Sequence, residues 1–130
     1  MIVVDTSVLI DSLTGPKRLA PTLRAAIQQG ERLLLPSLVL YEWMRGPRLA
    51  EELAAQEALF PSESAVPFGA REATLSARLY RSVPRPRGRE LDLAIAACAI
   101  AKEAELWTLN TADFKDIPGL RIWSPEARSG

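Results

Sequence analysis

Three β-branched residues, Ile2, Val3 and Val4, are followed at once by Asp5-Thr6-Ser7 and then by Val8, Leu9 and Leu13 at helical spacing. A run this short and this apolar is a buried strand, and the polar residues that stop it are those that end strands and cap helices. The same switch recurs at Leu33-Leu34-Leu35, where Pro36-Ser37 opens a helix carrying Leu38, Tyr41 and Glu42 that Gly46-Pro47 closes. Short strands alternating with helices predict an α/β chain with a mostly parallel sheet covered by helices on both faces.

The rest of the chain fits this plan. Leu19, Leu23, Ala26 and Ile27 mark a helix stopped by Gly30. Leu49 to Phe60 reads as an amphipathic helix, with Leu49, Leu53 and Leu59 apolar and Glu51, Glu52 and Glu57 outward. Ala65-Val66-Pro67-Phe68 is expected as an edge strand, since its proline lacks the donor a central strand needs. Ala70 to Val83 is predicted helical, Pro84 to Arg89 a proline-stiffened basic loop, and Glu90 to Ala104 a central helix whose alanines allow close backbone approach. Leu106-Trp107-Thr108 and Leu120 to Trp123 bring the expected sheet to four or five strands, and Ser124 to Gly130 reads as a loose tail. With no internal repeat, residues 1–130 are expected to form a single domain.

Composition then removes whole classes of chemistry. The sequence has no histidine, which excludes a Ser-His-Asp triad, a histidine-based ribonuclease and every imidazole zinc site. Its single cysteine, Cys98, lies in an apolar run and is expected to be a buried structural thiol. Sixteen basic residues balance sixteen acidic ones, so any attraction to nucleic acid must be local. Met1-Ile-Val-Val meets Asp5 before a signal peptide can form, and Leu91 to Ala101 is far short of the ~20 apolar residues of a membrane span. A cytoplasmic protein without a membrane partner is the expectation.

What chemistry remains is carboxylate chemistry. Ligand sites of parallel sheets lie at the carboxyl ends of the strands, which makes Asp5, directly after the first strand, a candidate. Taken singly, each acid has a plainer reading. Asp5 caps the following helix, Glu42 faces solvent, Asp92 complements a helix dipole, and Asp113 serves a turn. Taken together, the topology can bring all four to one edge. Converged carboxylates repel unless a cation is present, and an all-oxygen site suits Mg2+ or Mn2+. Without histidine, the chemistry that follows is phosphodiester hydrolysis, with metal ions activating water and neutralising charge at the scissile phosphate.

Four segments in order, Val3 to Asp11, Glu42-x-x-Arg45-Gly46, Asp92-x-x-Ile95-Ala-Ala97, and Thr108-x-Asn110-x-x-Asp113-Phe114, resemble a PIN-domain protein over essentially the whole chain. Length and the lack of extra domains resemble, more narrowly, the VapC-type ribonuclease toxins of toxin-antitoxin systems. The resemblance implies a PIN-like three-layer α/β/α nuclease in which Asp5, Glu42, Asp92 and Asp113 are the acidic quartet binding Mg2+ or Mn2+ for RNA cleavage. Asn110 is the alternative to Asp113 as the fourth position. It further implies a cognate antitoxin protein as partner and a homodimer.

Supporting roles are expected for Thr6 and Ser7, which would orient Asp5, and for Thr108 and Asn110 beside the acids. Arg45, three residues after Glu42, is placed to pair with it or to meet a substrate phosphate. Arg85, Arg87 and Arg89 offer the local basic surface that a neutral protein needs to attract RNA. Trp43, Trp107 and Trp123 are expected to pack rather than to stack on bases. The competing reading is a PIN-like binding module for nucleic acid or protein that does not cut. A phosphotransfer receiver or hydrolase on a similar scaffold is disfavoured, because no acid follows Asp5 at the next two positions.

Overall fold

The computed structural model describes residues 1–125; the expected loose tail lies outside the described residues from 126 onward. The order is β1 (Ile2–Val4), α1 (Thr6–Leu13), α2 (Ala20–Gln28), β2 (Leu33–Leu34), α3 (Ser37–Arg45), α4 (Ala50–Leu59), α5 (Ala70–Ser82), α6 (Glu90–Ala101) and β3 (Glu105–Trp107), with single 3-10 turns at Ser62–Ser64 and Thr111–Asp113. The strands form a parallel sheet in the order β2-β1-β3. Ile2 pairs with Leu33 on one side and Glu105 on the other, Val3 with Leu34 and Leu106, and Val4 with Trp107. Successive strand residues point to opposite faces, and Ile2, Val3 and Val4 are all fully buried, so both faces of the sheet are covered.

The sheet has three strands, not the four or five expected. Val66 makes one parallel bridge to Pro36, and Ile122 one to Leu106. Neither Pro36 nor Pro67 has an N–H, which leaves only Val66 N–H to the Leu35 carbonyl and Ser37 N–H to the Val66 carbonyl, both 2.8 Å. At the other edge Leu106 donates to Arg121 and accepts from Trp123, again at 2.8 Å, while Pro118-Gly119 and Pro125 leave no length for a longer ladder. Both stretches lie where strands were expected but remain rudimentary.

Helix α4 also differs from expectation. Leu49, Leu53, Gln56 and Phe60 fall on one helical face, but only the C-terminal end of that face meets the core. Gln56 and Phe60 are buried, and Gln56 Nε2 donates to the Phe60 carbonyl at 2.9 Å. Leu49, Leu53 and Leu59 remain exposed. The tryptophans pack as expected: all three are buried, and the rings of Trp107 and Trp123 meet edge to face with centroids 4.7 Å apart. Arg48 folds back over the Trp43 ring, 4.3 Å from its centroid, and donates to the Trp43 carbonyl at 2.8 Å, tying down the end of α3.

Helix α6 runs through the interior. Every residue from Leu93 to Ala99 is buried, and the helix packs along α5 and against β1, β3 and α3. Alanine at 94, 96, 97 and 99 permits that closeness on all sides. Cys98 is buried, and its desolvated thiol is pushed up to about 11, which makes it inert as a nucleophile. Ala97→Leu should therefore overpack the core and lower unfolding stability by about 1–3 kcal/mol, whereas Ala101→Leu, at the half-exposed end, should cost less. Urea denaturation of the two variants side by side measures the difference.

Candidate active site

The carboxyl ends of the parallel strands set the site. Asp5 follows β1 directly, Thr108 follows β3, and α3 starts three residues beyond the end of β2. The N-terminus of α6 brings Asp92 to the same edge, and the 3-10 turn after β3 brings Asp113.

Asp5 is buried, yet it does not cap α1: it occupies the N-cap position with no side-chain bond to the helix backbone. Its Oδ2 instead accepts two hydroxyl hydrogen bonds, from Thr108 Oγ1 at 2.7 Å and Ser7 Oγ at 2.9 Å. Those hydroxyls accept in turn from backbone N–H groups, Leu109 to Ser7 Oγ at 3.0 Å and Asn110 to Thr108 Oγ1 at 3.0 Å. Protons thus run in one direction along the network, toward Oδ2. Among the described residues, Oδ1 of Asp5 accepts no side-chain hydrogen bond. One carboxylate oxygen anchors the residue and the other is left for a ligand.

The remaining acids surround Asp92. Glu42 is turned inward rather than toward solvent. Its Oε1 accepts from Thr6 Oγ1 at 2.7 Å, and its Oε2 lies 3.5 Å from Arg45 Nη2. Thr6 therefore orients Glu42, not Asp5 as expected, while Ser7 and Thr108 hold Asp5. Asp92 is half-buried and its carboxyl is pushed up to about 6, first by desolvation and then by the charges of Asp5, Asp113 and Glu42. Arg89 opposes that rise. Four elements distant in sequence thus place acids within one another's fields, and Asp92 sits where those fields meet. Asn110 contributes its backbone N–H to Thr108, whereas Asp113 contributes a charge that Asp92 feels.

The basic residues divide. Arg85 and Arg87 are exposed. Arg45 is half-exposed, paired with Glu42 and lying 5.3 Å from the Tyr41 ring centroid. Arg89 is not on an open basic surface: it forms a fork with Asp116, Nη2 to Oδ1 at 2.6 Å and Nη1 to Oδ2 at 3.1 Å, and donates to the Asp113 carbonyl at 2.9 Å. Sequence reasoning passed over Asp116, because a loop acid carries no periodicity and its partner lies 27 residues away.

The oxygen-only donor set, the free Oδ1 of Asp5 and the mutual repulsion centred on Asp92 fit a hard divalent cation, which takes carboxylate and water oxygens. Among the described residues, no three acidic side chains are gathered closely enough to hold a metal ion as they stand.

A parallel sheet wrapped by helices, with acids brought toward its carboxyl edge, defines an α/β protein whose acidic site is built from strand ends and a helix N-terminus. The PIN-domain family model matches residues 2–120, and the chain belongs to that family. It is 35% identical over 128 residues to "Ribonuclease VapC19" of Mycobacterium tuberculosis, covering 93% of this chain and 98% of that protein. Among solved structures, a toxin-antitoxin complex from Klebsiella pneumoniae matches with a TM-score of 0.71 and 26% identity over 96% of this chain and 98% of that one. The DNA-bound VapBC of Salmonella typhimurium shares the fold with a TM-score of 0.74 at 20% identity, over 95% and 97% of the two chains. The chain is thus a homologue of a VapC ribonuclease.

The elevated carboxyl of Asp92 has a consequence for stability. Its ordinary value is 3.8 and its folded value about 6, so the native state holds the proton more tightly than the unfolded chain. Between pH 4 and 6 the unfolded state gives up this proton first, and the group's contribution to stability falls as pH rises, reaching its full penalty above pH 6. Screening at a half-buried carboxylate trims the penalty to about 1 kcal/mol. In metal-free buffer, Asp92→Asn should raise Tm by about 3–6 °C at pH 7.5 and by little at pH 4, as measured by thermal melts in EDTA.

Proposed function

We propose that this chain is a metal-dependent endoribonuclease that acts as a toxin neutralised by a cognate antitoxin. Residues 1–130 act as one nuclease domain in the cytoplasm, with Asp5, Glu42, Asp92 and Asp113 as the acidic quartet. The observation that carries the reading is the convergence of Asp5, Glu42 and Asp113, from three other elements at the carboxyl edge of the sheet, on Asp92 at the N-terminus of α6, whose carboxyl their charges raise. The 35% identity to a protein named as a ribonuclease supports the choice of RNA, and the similarity to toxin-antitoxin complexes supports the antitoxin.

Mg2+ or Mn2+ bound at this edge would supply an activated water and charge neutralisation at the scissile phosphate. The chain's own residues do the rest. Asp5, Glu42, Asp92 and Asp113 would hold the ion, with Asp5 presenting Oδ1 while Ser7 and Thr108 grip Oδ2. Thr6 fixes Glu42 so that its second oxygen faces Arg45. Arg45, exposed along one side of its pair with Glu42, and the exposed Arg85 and Arg87 meet the RNA backbone, which gives an overall neutral protein its local attraction for phosphate. Among the described residues no helix is long and apolar enough to cross a membrane. The exposed apolar side chains of Tyr41 and Met44 on α3 and of Leu49, Leu53 and Leu59 at α4 provide surface for the antitoxin and for a second copy of the chain.

A non-cutting PIN-like binding module remains the competing reading, and the open spacing of the acids favours it. One experiment separates the two: purified protein, free of antitoxin, is incubated with total bacterial RNA in Mg2+, Mn2+ or EDTA beside Asp5→Asn. The nuclease reading expects discrete fragments that need metal and a loss of more than about 100-fold in the variant, since its site loses a charge that the transition state uses. Equal cleavage by Asp5→Asn removes Asp5 from the metal site, and no cleavage by folded wild type under any metal selects the binding module.

A further inference from the structure

We propose that Arg89 is a positioning residue, a guanidinium clasp that holds the Asp113 segment against the N-terminus of α6 and so sets the separation of Asp92 and Asp113. Its effect on turnover rests on the nuclease reading above, whereas the clasp itself does not.

One side chain gathers three stretches of chain. Arg89 Nη1 donates to the Pro84 carbonyl at 3.2 Å and to Asp116 Oδ2 at 3.1 Å, while Nη2 donates to the Asp113 carbonyl at 2.9 Å and to Asp116 Oδ1 at 2.6 Å. Its side chain is only 19% exposed, although the loop it closes is at the surface. Arg89 is also the N-cap residue of α6, three positions before Asp92, so the same residue begins the helix that carries one acid and grips the backbone of the other. A planar fork with five donors can serve four acceptors at once. The single ammonium of lysine cannot.

The acids need such a restraint. Asp92 and Asp113 repel each other, and residues 109–113 are exposed, tied inward at Leu109 and Asn110 by their N–H groups to Ser7 and Thr108. Phe114 and Ile117 are buried and fix the segment coarsely. Between Asn110 and Ile117 the backbone is a chain of short turns: Asp113 N–H to the Asn110 carbonyl at 2.9 Å, Phe114 and Lys115 N–H to Thr111 at 3.1 and 3.0 Å, and Ile117 N–H to Phe114 at 3.2 Å. Turns this short pivot readily about Phe114 unless something outside them fixes the Asp113 carbonyl, and Arg89 is the group that reaches it.

The loop before α6 is shaped to aim that group. Pro84 and Pro86 stiffen it, and Arg85 and Gly88 both adopt left-handed backbone, with φ of 53° and 86°. These two reversals leave Arg85 and Arg87 exposed and Arg89 turned inward. Of the three arginines in this segment, two are free to meet phosphate and the third has its charge committed to Asp116. Asp116 in return is held below the usual carboxylate range by the Arg89 hydrogen bonds.

The test uses wild type, Arg89→Ala, Arg89→Lys, Asp116→Asn and Arg87→Ala. Backbone amide exchange is followed over residues 109–117 in metal-free protein, and steady-state cleavage of a short RNA is followed in Mg2+. Arg89→Ala should speed exchange at the amides of Asp113 to Ile117 about tenfold, the scale expected when a local charge-assisted contact is lost. Its kcat should fall about 10- to 100-fold with KM little changed, as displaced reacting groups require. Arg89→Lys should not rescue either readout, and Asp116→Asn should move both the same way by a smaller factor. Arg87→Ala should instead raise KM and leave exchange alone. Unchanged exchange in Arg89→Ala, or a raised KM at constant kcat, overturns the clasp and makes Arg89 a phosphate ligand. If Arg89→Ala does not fold, Asp116→Asn decides by the same criteria, since its position is at the surface. If wild type cleaves no RNA, the nuclease reading falls and the exchange data alone decide the clasp.

Discussion

Everything in this fold hangs from a strand three residues long. Ile2, Val3 and Val4 pair on both sides at once, to β2 and to β3, and are buried on both faces of the sheet. The ladder closes one residue later, where Asp5 N–H donates to the Trp107 carbonyl at 3.0 Å. A carboxylate attached to the last pair of a fully buried central strand has almost no freedom of position. Its backbone is fixed by the sheet, and its side chain must find polar partners inside the protein or pay heavily for burial. Ser7 and Thr108 are those partners, one from the helix that β1 feeds and the other from the end of the strand beside it. The same hydrophobic burial that makes the sheet possible thus places the innermost acid and dictates the hydroxyls around it.

From that fixed point the acids become less constrained with distance from the core. Asp5 is buried, Glu42 and Asp92 are partly buried, and Asp113 is exposed. Asp92, midway, is far enough from water to feel desolvation and close enough to three other acids to feel their charge, and both raise its carboxyl. Repulsion of this kind is stored by a fold only when positions are held by something stronger. The core holds Asp5, Thr6 and the Arg48–Trp43 stack steady the helix bearing Glu42, and the packing of α6 holds Asp92.

Much of this was legible in the sequence, and what was not has physical reasons. The alternation of β-branched runs with capped helices located every helix to within a few residues, because burial and helix periodicity are local signals. The sheet was overcounted because Ala65 to Phe68 and Leu120 to Trp123 have strand composition, while the number of ladder bonds depends on where prolines sit in the partner. The face of α4 was misread because periodicity reveals which residues share a side, not whether the whole side meets a core; only its end at Gln56 and Phe60 does. The acids at strand ends were found by position, but Asp5 as a helix cap and Glu42 as a solvent-facing residue were natural single-residue readings that only the hydroxyls of Ser7, Thr108 and Thr6 exclude. The Arg89–Asp116 fork left no trace in the sequence, since it joins two irregular segments.

The two ends of the acidic gradient are therefore held by different physics. Around Asp5 the donors are neutral hydroxyls, Thr108 buried and Ser7 partly so, themselves oriented by backbone N–H groups, so their geometry responds little to salt or to surface substitution. Around Asp113 the donor is a charged guanidinium near the surface, whose grip on Asp116 is open to screening. An inner carboxylate fixed by the core and an outer one fixed by a surface ion pair make a site that is rigid on one side and adjustable on the other. A ligand must enter from the adjustable side, because β1 and its neighbours close the other. The outer acid is thus the one whose placement can change without disturbing the fold.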